Sequence, residues 1–105
     1  MATTRPFSDS IHEDLQHPEY RRALLGEAIA CMAAGDTQTG KSVLRHYING
    51  TIGFVKLGAD LQKSPKSLMR MLSSTGNPGV RGLFEIVAHL QKVDHIVLTV
   101  HVIAA

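Results

Sequence analysis

Three features of the sequence predict an all-α domain, a bundle of about five helices with a short C-terminal β-strand. Apolar residues recur three or four apart from Tyr20 to Leu90, the spacing that lines one face of a helix. Ser64-Pro65 and Asn77-Pro78 each join a capping side chain to a proline, which loses no needed donor at the first helical position. Only the tail, IVLTVHV from Ile96 to Val102, is dominated by β-branched residues and lacks a helical stripe.

Taken in order, residues 1–17 form an arm in which Phe7, Ile11 and Leu15 fall four apart, the mark of a loosely held amphipathic turn. A helical domain is expected over residues 18–93. Its first helix runs from Pro18 to Ala34 on the stripe Tyr20, Leu24, Leu25, Ala28, Ile29, Cys31 and Met32, with Gly35 as its stop. Asp36 is placed to cap a second helix, which carries Val43, Leu44, Tyr47 and Ile48 and ends at Asn49-Gly50. Thr51 is expected to cap a third, carrying Ile52, Phe54, Val55 and Leu57 and ending near Ala59 or Asp60. The fourth starts at Pro65 behind the Ser64 cap and runs to about Ser73. Leu57, Leu61, Leu68 and Leu72, four apart within each half, give these two helices facing apolar stripes, the pattern of a helix-turn-helix. A fifth helix is expected from Asn77-Pro78 through Gln91 on Val80, Leu83, Phe84, Val87 and Leu90. Residues 94–105 hold the strand. A lone strand leaves its backbone groups unpaired, so the expectation is a homodimer in which residues 96–102 of two chains form an antiparallel ribbon. The alternatives are a tail packed on its own domain and pairing with another protein.

The chain has 105 residues, 44% of them hydrophobic, which suits one domain with one core. A single cysteine, Cys31, excludes an internal disulfide and suits a reducing compartment, so a cytoplasmic location is expected. No apolar run approaches the ~18 residues of a membrane span, and MATTRPFSDSIHED has no hydrophobic signal core. Formal net charge is only +2, but it is unevenly placed. Between residues 51 and 84, Lys56, Lys63, Lys66, Arg70 and Arg81 stand against Asp60 alone, a local net of +4, while the flanking segments are each at −1.

Several patterns invite a chemical reading. Gly35-x-x-x-x-Gly40-Lys41-Ser42 matches a phosphate-binding loop, but that loop works between a buried parallel strand and a helix, and the segment ahead of it here is helical in spacing. Nucleotide binding is therefore the weakest reading; Gly35 ends one helix and Asp36 caps the next. The histidines at 12, 17, 46, 89, 95 and 101 never stand four apart, and His95 with His101 would share a strand face without a third ligand, so no metal or other cofactor is expected. Cys31 on an apolar face is expected to be a small buried side chain. No Ser-His-Asp set stands out from chance, and no enzyme activity is expected.

The fourth helix offers a surface for DNA. With Leu68, Met71 and Leu72 turned to the core, Lys66, Ser67 and Arg70 project from its first two turns, where this motif meets the major groove. Arginine and lysine can bond guanine O6 and N7, and serine can bond a base or a phosphate, which a helix N-terminus also favours. Lys56, Lys63, Asn77 and Arg81 flank the helix and are assigned to backbone phosphates, which set register rather than read sequence. The bland alternative is a solvated basic face.

These segments resemble a known family. GDTQTGKSVLRHYINGTIGF, SPKSLMRMLSSTGNP and GLFEIVAHLQ, in this order over residues 18–100, resemble the small lambda-repressor-like helix-turn-helix proteins described as addiction-module antidotes, which are antitoxin-type transcriptional regulators. That family has a similar GD…TGK segment between its first two helices. It usually has glycine where Gln62 stands, alanine at Gly58, and a smaller or apolar turn residue at Lys63. The resemblance implies a dimer that represses its own operon by binding operator DNA and that neutralises a RelE-like ribonuclease toxin. Asp9, Glu13 and Asp14 of the arm are a candidate contact, since such toxins are basic. The alternative function is a protein-interaction module of the same fold that no longer binds DNA.

Overall fold

Pro18 opens the first helix and Gly35, at φ +92°, lies just beyond its end. The computed structural model describes residues 15–105 and contains five helices: α1 (Pro18–Ala33), α2 (Thr37–Gly50), α3 (Phe54–Leu61), α4 (Pro65–Met71) and α5 (Val80–Asp94). Asp36 caps α2 as expected, its carboxylate accepting from the Thr39 N–H at 3.2 Å. Thr51 does not cap α3. It closes α2 instead, its hydroxyl donating to the Tyr47 carbonyl at 2.7 Å. The chain then turns at Gly53, whose φ of +80° a residue with a Cβ adopts only at a cost, and Gly53 caps α3.

The helical stripes meet in one core, except that Val55 of α3 and Val80 and Phe84 of α5, expected on those stripes, are exposed. Leu25 and Ala28 from α1, Leu44, Tyr47 and Ile48 from α2, Phe54 and Leu57 from α3, Leu68 from α4 with Leu72 at its end, and Ile86, Val87 and Leu90 from α5 are all buried. Leu61 and Met71 pack against this cluster and stay partly exposed. The closest helix pairing is α1 against α2. Leu15 completes the core from the end of the arm, where its carbonyl accepts from Nε and Nη2 of Arg21 at 3.0 and 2.9 Å. The rest of the arm lies outside the described residues, and with it Phe7, Ile11, His12 and the acidic trio Asp9, Glu13 and Asp14.

One polar cluster crosses the apolar interior. The Tyr47 hydroxyl, fully enclosed, donates to the Asp94 carboxylate, whose other oxygen faces Arg21 at 3.4 Å. A buried carboxylate without such partners would be strongly unfavourable, so the three groups tie α1, α2 and α5 together as a unit.

The tail departs from the sequence expectation. Among the described residues there is no strand, and residues 96–105 have no regular secondary structure. His95, left-handed at φ 55°, ends α5, and the Leu98 N–H donates to Gln91 Oε1 at 2.7 Å. Ile96 and Leu98 pack against the core while Val97, Val100, Val102 and Ile103 are exposed. A strand exists only as part of a ladder, and the described residues supply this segment with no second strand.

Candidate nucleic-acid interface

α3 and α4 are short helices joined across residues 62–64. Gln62 ends α3 in the left-handed conformation, at φ 57° and ψ 44°, the place where glycine would be easier. The Lys63 N–H returns to the Gly58 carbonyl at 2.9 Å. At Gly58 a Cβ would stand 2.6 Å from the Lys63 carbonyl oxygen and 3.3 Å from the Pro65 nitrogen. Only a residue without a side chain lets the turn fold this closely over α3.

Both ends of α4 are fastened. At its start the Ser64 hydroxyl accepts from the Ser67 N–H at 3.1 Å while the Ser67 hydroxyl donates to the Ser64 carbonyl at 2.9 Å. At its end, three side chains from one face of α2 reach the carbonyls that follow: Arg45 donates to Leu72, Gln38 to Ser74 at 3.0 Å and Lys41 to Gly76 at 2.6 Å. These bonds hold residues 72–76 against α2, and the Asn77-Pro78 stretch that follows is not helical. α5 accordingly starts at Val80 behind Gly79, not at Asn77-Pro78.

The predicted base readers lie together on the exposed side of α4. Lys66 and Arg70 are four residues apart and Ser67 lies three before Arg70, so the three share a face opposite Leu68 and Leu72. Among the described residues no ion pair or hydrogen bond engages the side chain of Lys66 or Arg70; the Arg70 carbonyl accepts from the Ser73 hydroxyl at 2.7 Å. Ser67 differs: its proton goes to its own helix cap, so its hydroxyl faces outward as an acceptor.

The predicted phosphate contacts divide in two. Lys56 pairs with Asp60 at 2.8 Å, and Lys63 of the turn lies 3.6 Å from Glu85 of α5. Asp60 also accepts from His89 of α5 at 2.8 Å. The hydrogen bonds from Lys56 and then His89 hold the Asp60 carboxyl below the usual carboxylate range. Arg81 lies four residues before Glu85 on α5 and, like Asn77, is exposed, with no ion pair among the described residues. Three cations and an asparagine thus flank α4, but Lys56 and Lys63 already have counter-charges. The partner of Lys56 lies one turn away on α3, whereas that of Lys63 lies on α5, out of reach of local sequence patterns.

The other motifs resolve plainly. The segment resembling a phosphate loop is a helix end and a helix start: Thr37 to Ser42 are already α2, Gly40 packs on Met32 and the Ala28 carbonyl, and the element before it is the helix α1, not a strand. Cys31 is half-exposed rather than buried; loss of hydration, with Glu27 beside its thiol at 3.5 Å, pushes its pKa up. Among the described residues no three His, Cys, Asp or Glu side chains are grouped to hold a metal ion. None of the helices is long and apolar enough to cross a membrane. Neither a family model nor a curated protein nor a solved structure matches the chain, so the family resemblance rests on its motif residues alone.

Proposed function

We propose that α3, the turn and α4 act as a helix-turn-helix of the lambda-repressor-like type, and that the protein is a sequence-specific DNA-binding repressor of its own operon. The carrying observation is the outer face of α4, where Lys66 and Arg70 stand exposed and without partners among the described residues on a helix fastened at both ends. In this reading Lys66 and Arg70 bond guanine edges, and Ser67, as an acceptor, meets an exocyclic amine of cytosine or adenine. Lys56, Lys63, Asn77 and Arg81 hold phosphates and set the register. Repression is occlusion of the promoter, with no catalytic step and no cofactor.

The family resemblance extends the proposal to an antitoxin that acts in the cytoplasm and neutralises a RelE-like toxin. A homodimer is part of the reading, with the 96–102 segments of two chains as an antiparallel ribbon. Its support is the exposure of Val97, Val100, Val102 and Ile103 on a β-branched segment that forms no strand among the described residues. A second reading, a protein-interaction module of the same fold, draws on the pairing of Lys56 with Asp60 and Lys63 with Glu85, which lowers the positive potential around α4. Fluorescence anisotropy of the protein against its own upstream duplex and a scrambled duplex, over a salt series, separates the two. A repressor prefers its upstream DNA; equal, weak binding of both duplexes favours the interaction module.

A further inference from the structure

The lysine of the phosphate-loop look-alike contacts no DNA in the proposed reading, though it helps to fasten the α4–α5 connection, and its surroundings are unusual. Lys41 is only 4% exposed. Its ammonium donates to the Gly76 carbonyl at 2.6 Å, which uses one of three N–H groups, and among the described residues no carboxylate pairs with it. A buried charge with a single neutral acceptor is poorly compensated. Lys41 also lines a pocket of about 490 Å³ between α2 and the α4–α5 connection, a size in the range of small-molecule sites. The residues that line the pocket include the hydroxyl-bearing Thr37, Ser74 and Thr75 and the apolar Met32 and Leu83.

We propose that this pocket binds a small organic monoanion, a carboxylate with a compact apolar body, seated on Lys41. One ammonium balances one negative charge; a phosphate dianion would leave a charge uncompensated in a half-enclosed site whose lining holds no second cation. The hydroxyls supply the remaining donors to the carboxylate, and Met32 and Leu83 cover the apolar body. Recognition is by side chains, since the backbone N–H groups of α2 beyond its first turn are spent within the helix. The bound anion braces residues 74–78, the connection that leads from α4 to α5 and carries Asn77. This site is independent of whether α4 reads DNA.

The test uses the full-length, isotopically labelled protein titrated with benzoate to about 10 mM and followed by amide chemical shifts. Benzamide serves as the uncharged isostere and acetate as the carboxylate without an apolar body. The expected result is saturable shifts at Lys41 and Ser74 to Gly76 with benzoate, and binding at least about tenfold weaker for both controls. Lys41→Met abolishes the shifts. Thr75→Asp, at an exposed position where the fold is retained, places a competing carboxylate at the site and weakens benzoate about tenfold or more. The proposal is overturned if benzoate gives no saturable shift, if benzamide binds as well, or if Thr75→Asp leaves the titration unchanged.

Discussion

Replacing Gly58 with alanine probes the turn that presents α4. In an ordinary helix interior the change would be favourable, since alanine exceeds glycine by about 1 kcal/mol in helix propensity. Here the added Cβ meets the Lys63 carbonyl oxygen at 2.6 Å, against an ordinary carbon–oxygen contact of about 3.4 Å. The colliding atom is backbone, and its own residue is held by the bond from the Lys63 N–H to the Gly58 carbonyl at 2.9 Å. Relief requires the turn to move by close to an ångström, an overpacking penalty of about 3 kcal/mol. Net destabilisation is therefore about 2 kcal/mol, or roughly 8–16 °C in Tm for a domain of this size. Thermal unfolding followed by circular dichroism measures it. An unchanged or higher Tm would refute the close turn, and with it the placement of α4 against α3.

Other perturbations address separate parts of the account. Tyr47→Phe deprives the Asp94 carboxylate of its enclosed donor and is expected to lower stability by about 2 kcal/mol in denaturant titration; a change near zero would mean the hydroxyl is not part of the core. Burial, and next the hydrogen bond to Asp94, push the Tyr47 phenol well above its ordinary value of 10.0. The folded state thus favours the neutral phenol: its contribution is intact below the ordinary value and is lost as pH rises towards the raised one. Ultraviolet titration should accordingly show the Tyr47 phenol ionising only with unfolding, and its ionisation while the fold persists would contradict this. For Asp60 the sign is opposite. Its depressed pKa stabilises the fold above the ordinary carboxylate value, and that contribution disappears as pH falls through the lower folded value. Asp60→Asn should flatten the acid side of the stability profile below about pH 4, and superimposable profiles would remove the Lys56–Asp60–His89 cluster as a contributor. Removing residues 99–105 takes away Val100, Val102 and Ile103 but keeps Ile96 and Leu98 on the core. The mass in solution should fall from dimer to monomer, and an unchanged dimer rules out the ribbon as its cause.

Much of this architecture is legible from local patterns because its causes are local. Leu44, Ile48, Leu57, Leu68, Leu72, Val87 and Leu90 are placed in the core by spacing alone, and the caps at Asp36 and Ser64 act within three residues of themselves. What escaped depends on contacts between distant segments. Thr51 and the Asn77-Pro78 pair have the chemistry of caps, but the first is claimed by the carbonyl of Tyr47 and the second adjoins loop carbonyls bound by Gln38 and Lys41. Gln62 and His95 both end helices in the left-handed conformation that glycine marks elsewhere, so neither end carries its usual signal. The same limit applies to the site. Lys66, Ser67 and Arg70 follow from periodicity on one helix, whereas the pairing of Lys63 with Glu85 and the enclosure of Lys41 depend on how α5 and the α4–α5 connection pack.

The central claim is that the outer face of α4 reads base sequence, and Arg70→Ala tests it most directly. The quantity to measure is the ratio of affinities for the upstream duplex and a scrambled duplex at fixed salt, in wild type and variant. Arg70 is exposed, and its side chain has no ion pair or hydrogen bond among the described residues, so the substitution should leave the fold intact. Loss of a bidentate contact to guanine is expected to lower the ratio by roughly 5- to 150-fold while binding to the scrambled duplex changes little. An unchanged ratio, or an equal loss on both duplexes, would contradict the assignment of α4 as the reading helix.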